Sequence, residues 1–336
     1  MTRHGIIAIV VLAFVLAPAA LLADDATLAR IEQAINDKGL NWTPGPAFFS
    51  LADFRARLGM HLAGGENQVC GAEDNENRLL SVPSSLNYVT QGDVTSVKDQ
   101  GQCGGCWAFA AVAALESAAI IESGYPQSIN LSEQYLLGCD SGESGCGGAY
   151  DLDQPMDFLC STGTVDASCF PYAGQDSSCT PCGSYQSDIY TGAAHGDVTQ
   201  TVDALKQGLV TYGPIAVSME VFDDFNYYTS GVYSYAYGND EGAHAVLLVG
   251  YDDGGSYFLV KNSWSAAWGM NGYFEIAYSE VTGSTNFGAN AVWIQFSAGP
   301  NSGGDDDNDN DTNSSADDDL AGIVNATKTT LSGCGQ

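Results

Sequence analysis

The chain has 336 residues, 45% of them apolar, and a formal net charge of −31. That length can bury one sizeable core or two lobes. So acidic a surface excludes nucleic acid as an expected partner, and it repels itself at neutral pH and low salt, a repulsion that acid or high ionic strength relieves.

The N-terminus carries Arg3 and His4, an apolar run over residues 6–16, and small residues around Ala17-Pro18-Ala19 and Leu21-Leu22-Ala23. The run is too short to span a bilayer comfortably, so residues 1–23 are expected to be a removable signal peptide. Export implies a secreted or cell-surface location, where disulfides are the default use of cysteine. Over residues 26–38 the spacing predicts an amphipathic helix ended by Gly39, with Asn41-Trp42-Thr43-Pro44-Gly45 and residues 51–59 behind it. Arg30, Arg55, Arg57 and Arg78 all precede residue 82, beyond which the only lysines or arginines are Lys98, Lys206, Lys261 and Lys328.

Gln100-Gly101-Gln102-Cys103-Gly104-Gly105-Cys106-Trp107-Ala108-Phe109 sets a cysteine at the start of a long apolar run of small residues that reads as a buried helix. A thiol, with a free pKa of roughly 8.5, attacks a carbonyl only as thiolate, and the positive end of a helix dipole favours that form. A second helix start lies at Leu131-Ser132-Glu133-Gln134, among loops rich in Cys and Gly that include Gly145-Cys146-Gly147-Gly148. His195 reads as a loop histidine. Strand-like runs follow at 215–221, 245–251, 257–261, 272–278 and 291–296. The stretch 227–233, rich in tyrosine, reads as core and loop packing. His244 introduces a buried-looking run, where a histidine needs a partner, and Val260-Lys261-Asn262-Ser263-Trp264 offers one.

From Ser297 the composition changes, and residues 303–319 are acidic and of low complexity, which predicts a disordered tail. Alternating Asp and Asn could supply a calcium loop, but its central glycine and closing glutamate are missing. No metal or cofactor is expected. Asn41, Asn130, Asn310, Asn313 and Asn325 sit in Asn-x-Ser/Thr sequons, which matter only in a glycosylating host.

Taken together, the Gln100 to Phe109 segment, Gly242-Ala243-His244-Ala245-Val246, and the Asn262 segment with Trp268-Gly269 and Gly272-Tyr273 resemble the active-site segments of papain-like cysteine peptidases. Their order and their spacing of roughly 130–150 residues fit that family. The resemblance covers residues 26–296. It implies an α+β, papain-like two-lobe fold, with a helical lobe facing an antiparallel, β-barrel-like lobe and the active site in the cleft between them. It further implies Cys106 as nucleophile and His244 as acid and base, with Asn262 orienting the imidazole and Trp264 shielding that hydrogen bond. Gln100 and the Cys106 N–H become the oxyanion donors. A protein or peptide substrate would lie extended past Ala243 and pair with the backbone of Gly147 and Gly148.

Also by resemblance, Cys103 pairs with Cys146 and Cys139 with Cys179, the first closure stabilising by roughly 4 kcal/mol on a chain-entropy argument. Cys160, Cys169 and Cys182 compete for a third bridge, of which Cys169 with Cys182 is favoured, and Cys70 and Cys334 lie outside the expected catalytic domain. Residues 24–81 resemble a short propeptide of cathepsin-B-like members, which implies the chain's own inhibitor laid across the cleft. The peptidase domain is then expected over 82–298 and the tail over 299–336, with a monomer as the working state. No paired histidines of an occluding loop lie between Cys139 and Cys182, which favours endopeptidase action. The propeptide arginines are expected to dock on the acidic domain and to let go as carboxylates protonate.

Two departures stand out. Gly105 occupies a place where serine usually precedes the nucleophile, and Ser265 one where glycine usually follows the tryptophan. Glycine is favoured wherever φ must be positive, so Ser265 is expected to require a different backbone angle near the shielding tryptophan. Both departures support an alternative, a catalytically silent papain-fold binding protein tethered by its acidic tail. Retention of Gln100, Cys106, His244 and Asn262 together weighs against it.

Overall fold

The computed structural model describes residues 19–62 and 82–300. Most of the expected signal peptide, residues 63–81 with Cys70 and Arg78, and the acidic tail with Cys334 and the last three sequons lie outside the described residues.

Helix α1 (Ala19–Lys38) begins earlier than the periodicity predicts and ends where predicted, at Gly39 with φ of +65°. It buries Ile31 and Ile35, one turn apart on a single face. Strand β1 (Asn41–Pro44) follows, then helix α2 (Leu51–Arg55), whose cap Ser50 accepts from the Asp53 N–H and whose Phe54 is fully buried. Past residue 82 come β2 (Ser85–Asn87), α3 (Tyr88–Gln91) and α4 (Cys106–Ser123). In α4, alanine supplies both helix propensity and close approach, so that Cys106 through Ala119 are all buried. The helical lobe adds α5 (Glu133–Cys139) and α6 (Asp153–Ser161). There follow β3 (Thr164–Val165), β4 (Ile189–Val198), α7 (Val202–Tyr212), β5 (Ile215–Phe222), β6 (Tyr228–Tyr233), β7 (Asp240–Asp252), β8 (Tyr257–Lys261), β9 (Tyr273–Ala277) and β10 (Ala289–Ala298).

The strands join in the order β1-β6-β9-β8-β7-β5-β10-β4-β3, with β2 added on β7. The β6–β9 pair is parallel and the others are antiparallel. This is the α+β arrangement expected. β4 was not legible as a strand, because its Thr-Gly-Ala-Ala-His-Gly core gives no alternation of large apolar residues. His195 therefore sits on a strand and not a loop, with Nε2 2.9 Å from Asp157 and Nδ1 3.7 Å from Asp153. Tyr227, Tyr228 and Tyr233 are buried as expected, yet the same stretch forms β6 and receives β1 through Asn41↔Val232 and Thr43↔Ser230.

One core wraps α4 with Leu131, Leu136, Leu152, Met156 and Leu159. The other is aromatic, around Phe225, Tyr233, Trp264, Trp268 and Phe274, and includes Ile31, Trp42 and Phe54 of the N-terminal segment. Disulfides join Cys103 to Cys146, Cys139 to Cys179 and Cys169 to Cys182, all in the helical lobe, and leave Cys106 and Cys160 as thiols among the described residues. The Cys103–Cys146 bond leaves Cys103 unavailable to pair with Cys106.

A buried ionic network ties the lobes together. Lys98 Nζ lies 2.8 Å from Glu116 and 2.6 Å from Glu133, and Thr95 Oγ1 donates to Glu116 at 2.5 Å. Lys261 of β8 reaches the same group by donating to Thr95 at 2.9 Å, and burial holds its ammonium down to about 8. Removing one partner would leave a charge unpaired inside the protein, which costs about 3–5 kcal/mol.

Candidate active site

Cys106 opens α4, preceded by Gly105 in the cap position without a side-chain cap. A Cβ at Gly105 would meet Leu137 at 3.2 Å and the Cys103 sulfur at 3.3 Å, so a serine there would press on both side chains. His244 lies on β7 and Asn262 just past β8, which brings both against the nucleophile wall. The His244 Nε2–H donates to Asn262 Oδ1 at 2.8 Å, with both residues buried. That bond fixes the tautomer and leaves the buried Nδ1 without a hydrogen-bond partner, available to a thiol proton. The Trp264 ring lies 4.5 Å from the imidazole and closes this hydrogen bond off from water.

Gln100 is fully buried and its amide is held on three sides. Ser263 Oγ donates to Oε1 at 2.6 Å, while Nε2 donates to the Cys103 carbonyl and to the Arg57 carbonyl, each at 2.8 Å. The amide thus already carries a peptide carbonyl, supplied by the chain's own N-terminal segment.

That segment runs through the cleft from Arg57 to His61. The Gly59 carbonyl accepts from the Ala149 N–H at 2.8 Å, the His61 N–H donates to the Ala149 carbonyl at 2.8 Å, and the Met60 N–H donates to the Ala243 carbonyl at 3.1 Å. Pairing therefore falls on Ala149 and Ala243. Gly148 contributes closeness, since a Cβ there would stand 2.3 Å from the Gly59 carbonyl oxygen. The Gly147 carbonyl faces the His61 ring, 2.8 Å from Nε2. Gly59 admits no substitute, because a Cβ would stand 1.8 Å from the Gly104 carbonyl oxygen.

Side chains anchor the run at both ends. Phe54 and Phe49 meet Trp264 edge-on at 5.5 and 5.8 Å. The Arg57 guanidinium stacks 3.9 Å over Phe49 and ion-pairs with Asp99 at 2.8 Å. Arg55 forms a two-pronged ion pair with Glu241, its Nη2 2.9 Å from Oε1. Of the four arginines expected to dock on acidic groups, Arg55 and Arg57 do so, Arg30 donates to the Tyr237 hydroxyl, and Arg78 lies outside the described residues.

Covered in this way, the pair is uncharged at neutral pH. Burial pushes the Cys106 thiol up to about 11, although the N–H groups of Ala245 and Gly59 point at the sulfur and pull the other way. Burial likewise holds the His244 imidazole down to about 4; Asn262 opposes this and the nearby Arg57 charge reinforces it. A thiol and a neutral ring are the wrong forms for nucleophilic attack.

Three features were not read from the sequence. Ser263 as the group orienting Gln100 was hidden because it sits 163 positions away, though its place in Lys-Asn-Ser-Trp was visible. Ala149 as the pairing residue was overshadowed by the two glycines before it. Gly59 between Leu58 and Met60 was the available sign of a tight crossing.

The model of the papain family cysteine proteases matches residues 82–292. Over 207 residues the chain is 38% identical to cathepsin B-like CP2 of Giardia intestinalis, an alignment that takes in 58% of this chain and 69% of the relative. Over 213 residues it is 37% identical to procathepsin L of Rattus norvegicus, covering 60% and 62% respectively. The chain therefore spans about two thirds of the length of these relatives. Among solved structures, the digestive procathepsin L2 proteinase from Tenebrio molitor larval midgut superposes with a TM-score of 0.69 at 26% identity, over 82% of this chain and 90% of that one. The proCathepsin B S9 from Trypanosoma congolense shares the fold, with a TM-score of 0.70 at 22% identity over 81% and 97%.

Proposed function

This chain belongs to the papain family of cysteine proteases, and on that premise we propose that it is the proenzyme of a secreted cysteine endopeptidase. Residues 24–81 act as its inhibitor and the domain from 82 to about 298 as the peptidase. The observation that carries this reading is the Arg57 carbonyl held 2.8 Å from Gln100 Nε2, a peptide carbonyl seated in the oxyanion donor beside Cys106.

Removal of the segment returns water to the cleft, and a proton passes from Cys106 to His244. The resulting thiolate attacks the scissile carbonyl carbon, and its oxygen takes the Gln100 amide and the Cys106 N–H as donors. The imidazolium then protonates the leaving amine, and the neutral ring activates water to hydrolyse the thioester. Asn262 keeps the ring in one tautomer throughout, and Trp264 keeps that hydrogen bond dry. Gly105 and Ser265 displace none of these reacting atoms. Three disulfides suit an exported protein.

The test compares acid-incubated full chain with Cys106→Ala on a denatured protein substrate, with intact mass recorded alongside. Wild type should lose the residues before about 82 and digest the substrate, while Cys106→Ala stays intact and inert. Should both remain full-length, and should wild type trimmed by an added protease also fail to cleave, the silent binding protein becomes the better reading.

A further inference from the structure

The stretch seated in the cleft reads Arg55-Ala56-Arg57-Leu58-Gly59-Met60-His61, with basic side chains at three of its positions, two of which meet carboxylates. Arg55 lies on Glu241, whose side chain is only 2% exposed beneath it, and the Asp223 carboxyl lies close enough to act on the same group. Arg57 lies on Asp99. The His61 ring lies tilted against Tyr150 at 5.1 Å and meets the Gly147 carbonyl.

Glu143 and Asp151 flank residues 147–150 in the sequence, and Asp151 and Asp140 lie close enough to Glu143 for their charges to act on it. Burial and those charges push Glu143 up to about 7. Asp140 is 6% exposed and one of its oxygens is buried without a hydrogen bond. No cation of the described body is free to meet these groups. Lys98 is committed to Glu116 and Glu133, Lys206 to Asp253, and Lys261 to Thr95. When the segment leaves, Glu241 and the Tyr150 wall lose their basic occupants and stand open to a side chain of the substrate.

Resting on the peptidase reading, we propose that the cleft selects basic polypeptides: Glu241 takes an arginine or lysine side chain on one flank of the scissile region, and the wall of Tyr150, the Gly147 carbonyl, Glu143 and Asp151 takes a second on the other. The first contact is a two-pronged ion pair and the second a cation on an aromatic face under a negative field.

Two measurements test this. In the first, enzyme processed from the full chain is given peptides that differ only by Arg, Gln or Glu at each position in turn. Arg should exceed Glu in kcat/KM by about tenfold at the position meeting Glu241 and about threefold at the position meeting the wall, both shrinking as salt is raised. Glu241→Gln should abolish the first preference, and Glu143→Gln with Asp151→Asn the second. Equal rates for Arg, Gln and Glu, or preferences that survive these substitutions, overturn the proposal.

The second measurement needs no catalysis. In the full-length Cys106→Ala protein, amide exchange at residues 59–61 is compared between His61→Arg and His61→Glu. The arginine variant should be about threefold or more better protected, and the difference should vanish on the Glu143→Gln, Asp151→Asn wall. Equal protection on the native wall overturns the wall contact even if the wall variants fail to fold. Divalent cations at millimolar concentration that erase the wild-type difference would mark the wall as a metal site and overturn it too. A protein that cleaves nothing yet shows the His61 difference would lose its peptidase reading while keeping its recognition of basic chains.

Discussion

The N-terminal segment and the body it covers are built to respond oppositely to acid. The segment holds on by a four-residue strand, by Trp42 and Phe54 inserted into the aromatic core, and by ion pairs from Arg55 and Arg57. The Arg55 pair holds the Glu241 carboxyl below its usual range, so it stabilises docking above about pH 4.5 and that contribution is lost as pH falls through the lowered value. The body has the reverse bias. Burial pushes the carboxyls of Asp224 and Asp153 up to about 6 and that of Glu143 up to about 7. Its folded form keeps protons that an unfolded chain would release, so it gains stability as pH falls from about 7 toward 4. His244 works against this gain, since burial holds its imidazole down to about 4 and an unfolded chain takes up that proton as pH falls below about 6.5, so the rise rests on the three raised carboxyls together. An inhibitor bound through ordinary ion pairs on a body short of counter-charges can thus be shed by acid without loosening the enzyme.

The sharpest way to break this contrast is Phe54→Ala in the full-length Cys106→Ala protein. Phe54 is fully buried against Trp264. Its loss should cost about 3–5 kcal/mol, most of it from docking and not from the body. Hydrogen exchange should show residues 41–61 deprotected at neutral pH while the amides of α4, β5 and β7 stay protected. Equal loss in both regions would mean that the segment and body form one cooperative unit.

Next in size is the body's own pH dependence. Asp224 is buried and accepts from the Tyr233 hydroxyl and from the N–H groups of Ala236 and Tyr237. Its raised carboxyl corresponds to roughly 3 kcal/mol between neutral pH and pH 4, by the conversion of about 1.4 kcal/mol per pKa unit. The melting temperature of the Phe54→Ala, Cys106→Ala protein should therefore rise on acidification over that window, and Asp224→Asn should flatten the rise. A body that melts at lower temperature as pH falls from 7 to 5 would remove half of the contrast.

Smaller again is Glu241→Gln. Arg55 is more than half exposed, so solvent screening keeps the pair weak. Segment release followed by exchange should become several-fold faster at neutral pH and lose part of its acid dependence below about pH 4.5. An unchanged pH profile would place the acid sensitivity elsewhere in the segment.

Much of the body was legible in the sequence, and much less of the contact between the two regions. Cys106, His244 and Asn262 announce themselves because each lies in a run whose local pattern is unusual: a cysteine opening an alanine-rich helix, a histidine beginning an apolar strand, an asparagine before tryptophan. The expected strands from 215 onward match β5, β7, β8, β9 and β10 to within a few residues, since buried strands are long apolar runs. The Lys98, Glu116, Glu133 and Lys261 network was not legible, because charges scattered singly look like surface until folding buries them. The cleft crossing was signalled only by Gly59 standing between Leu58 and Met60, for nothing near residue 59 reveals that Gly104 will stand against it. Local patterns report elements, whereas the lock between segment and body consists of pairs distant in sequence.

The smallest effect concerns Ser265, where the sequence anticipated a different backbone angle and the structure instead keeps the left-handed one that glycine favours. Its φ is +74°, a region that costs an ordinary residue about 1–2 kcal/mol. The turn is pinned there nonetheless: the Ser265 N–H donates to the Lys98 carbonyl at 3.1 Å, and the Trp268 N–H donates to the Ser265 carbonyl at 3.2 Å. Ser265 Oγ recovers part of the cost by accepting from the Ala267 N–H at 3.3 Å. Ser265→Gly would relieve the strain, lose that weak hydrogen bond and gain freedom in the unfolded chain, so a net gain of only about 0.5 kcal/mol is expected. Because the pinning is by backbone, Trp264 should stay over His244 and kcat/KM should hold within about twofold, corresponding to less than 0.5 kcal/mol. A tenfold rise in kcat/KM without a change in melting temperature would instead mean that the serine detunes the site, and the opposite pH responses of segment and body would then serve an enzyme held back by its own turn.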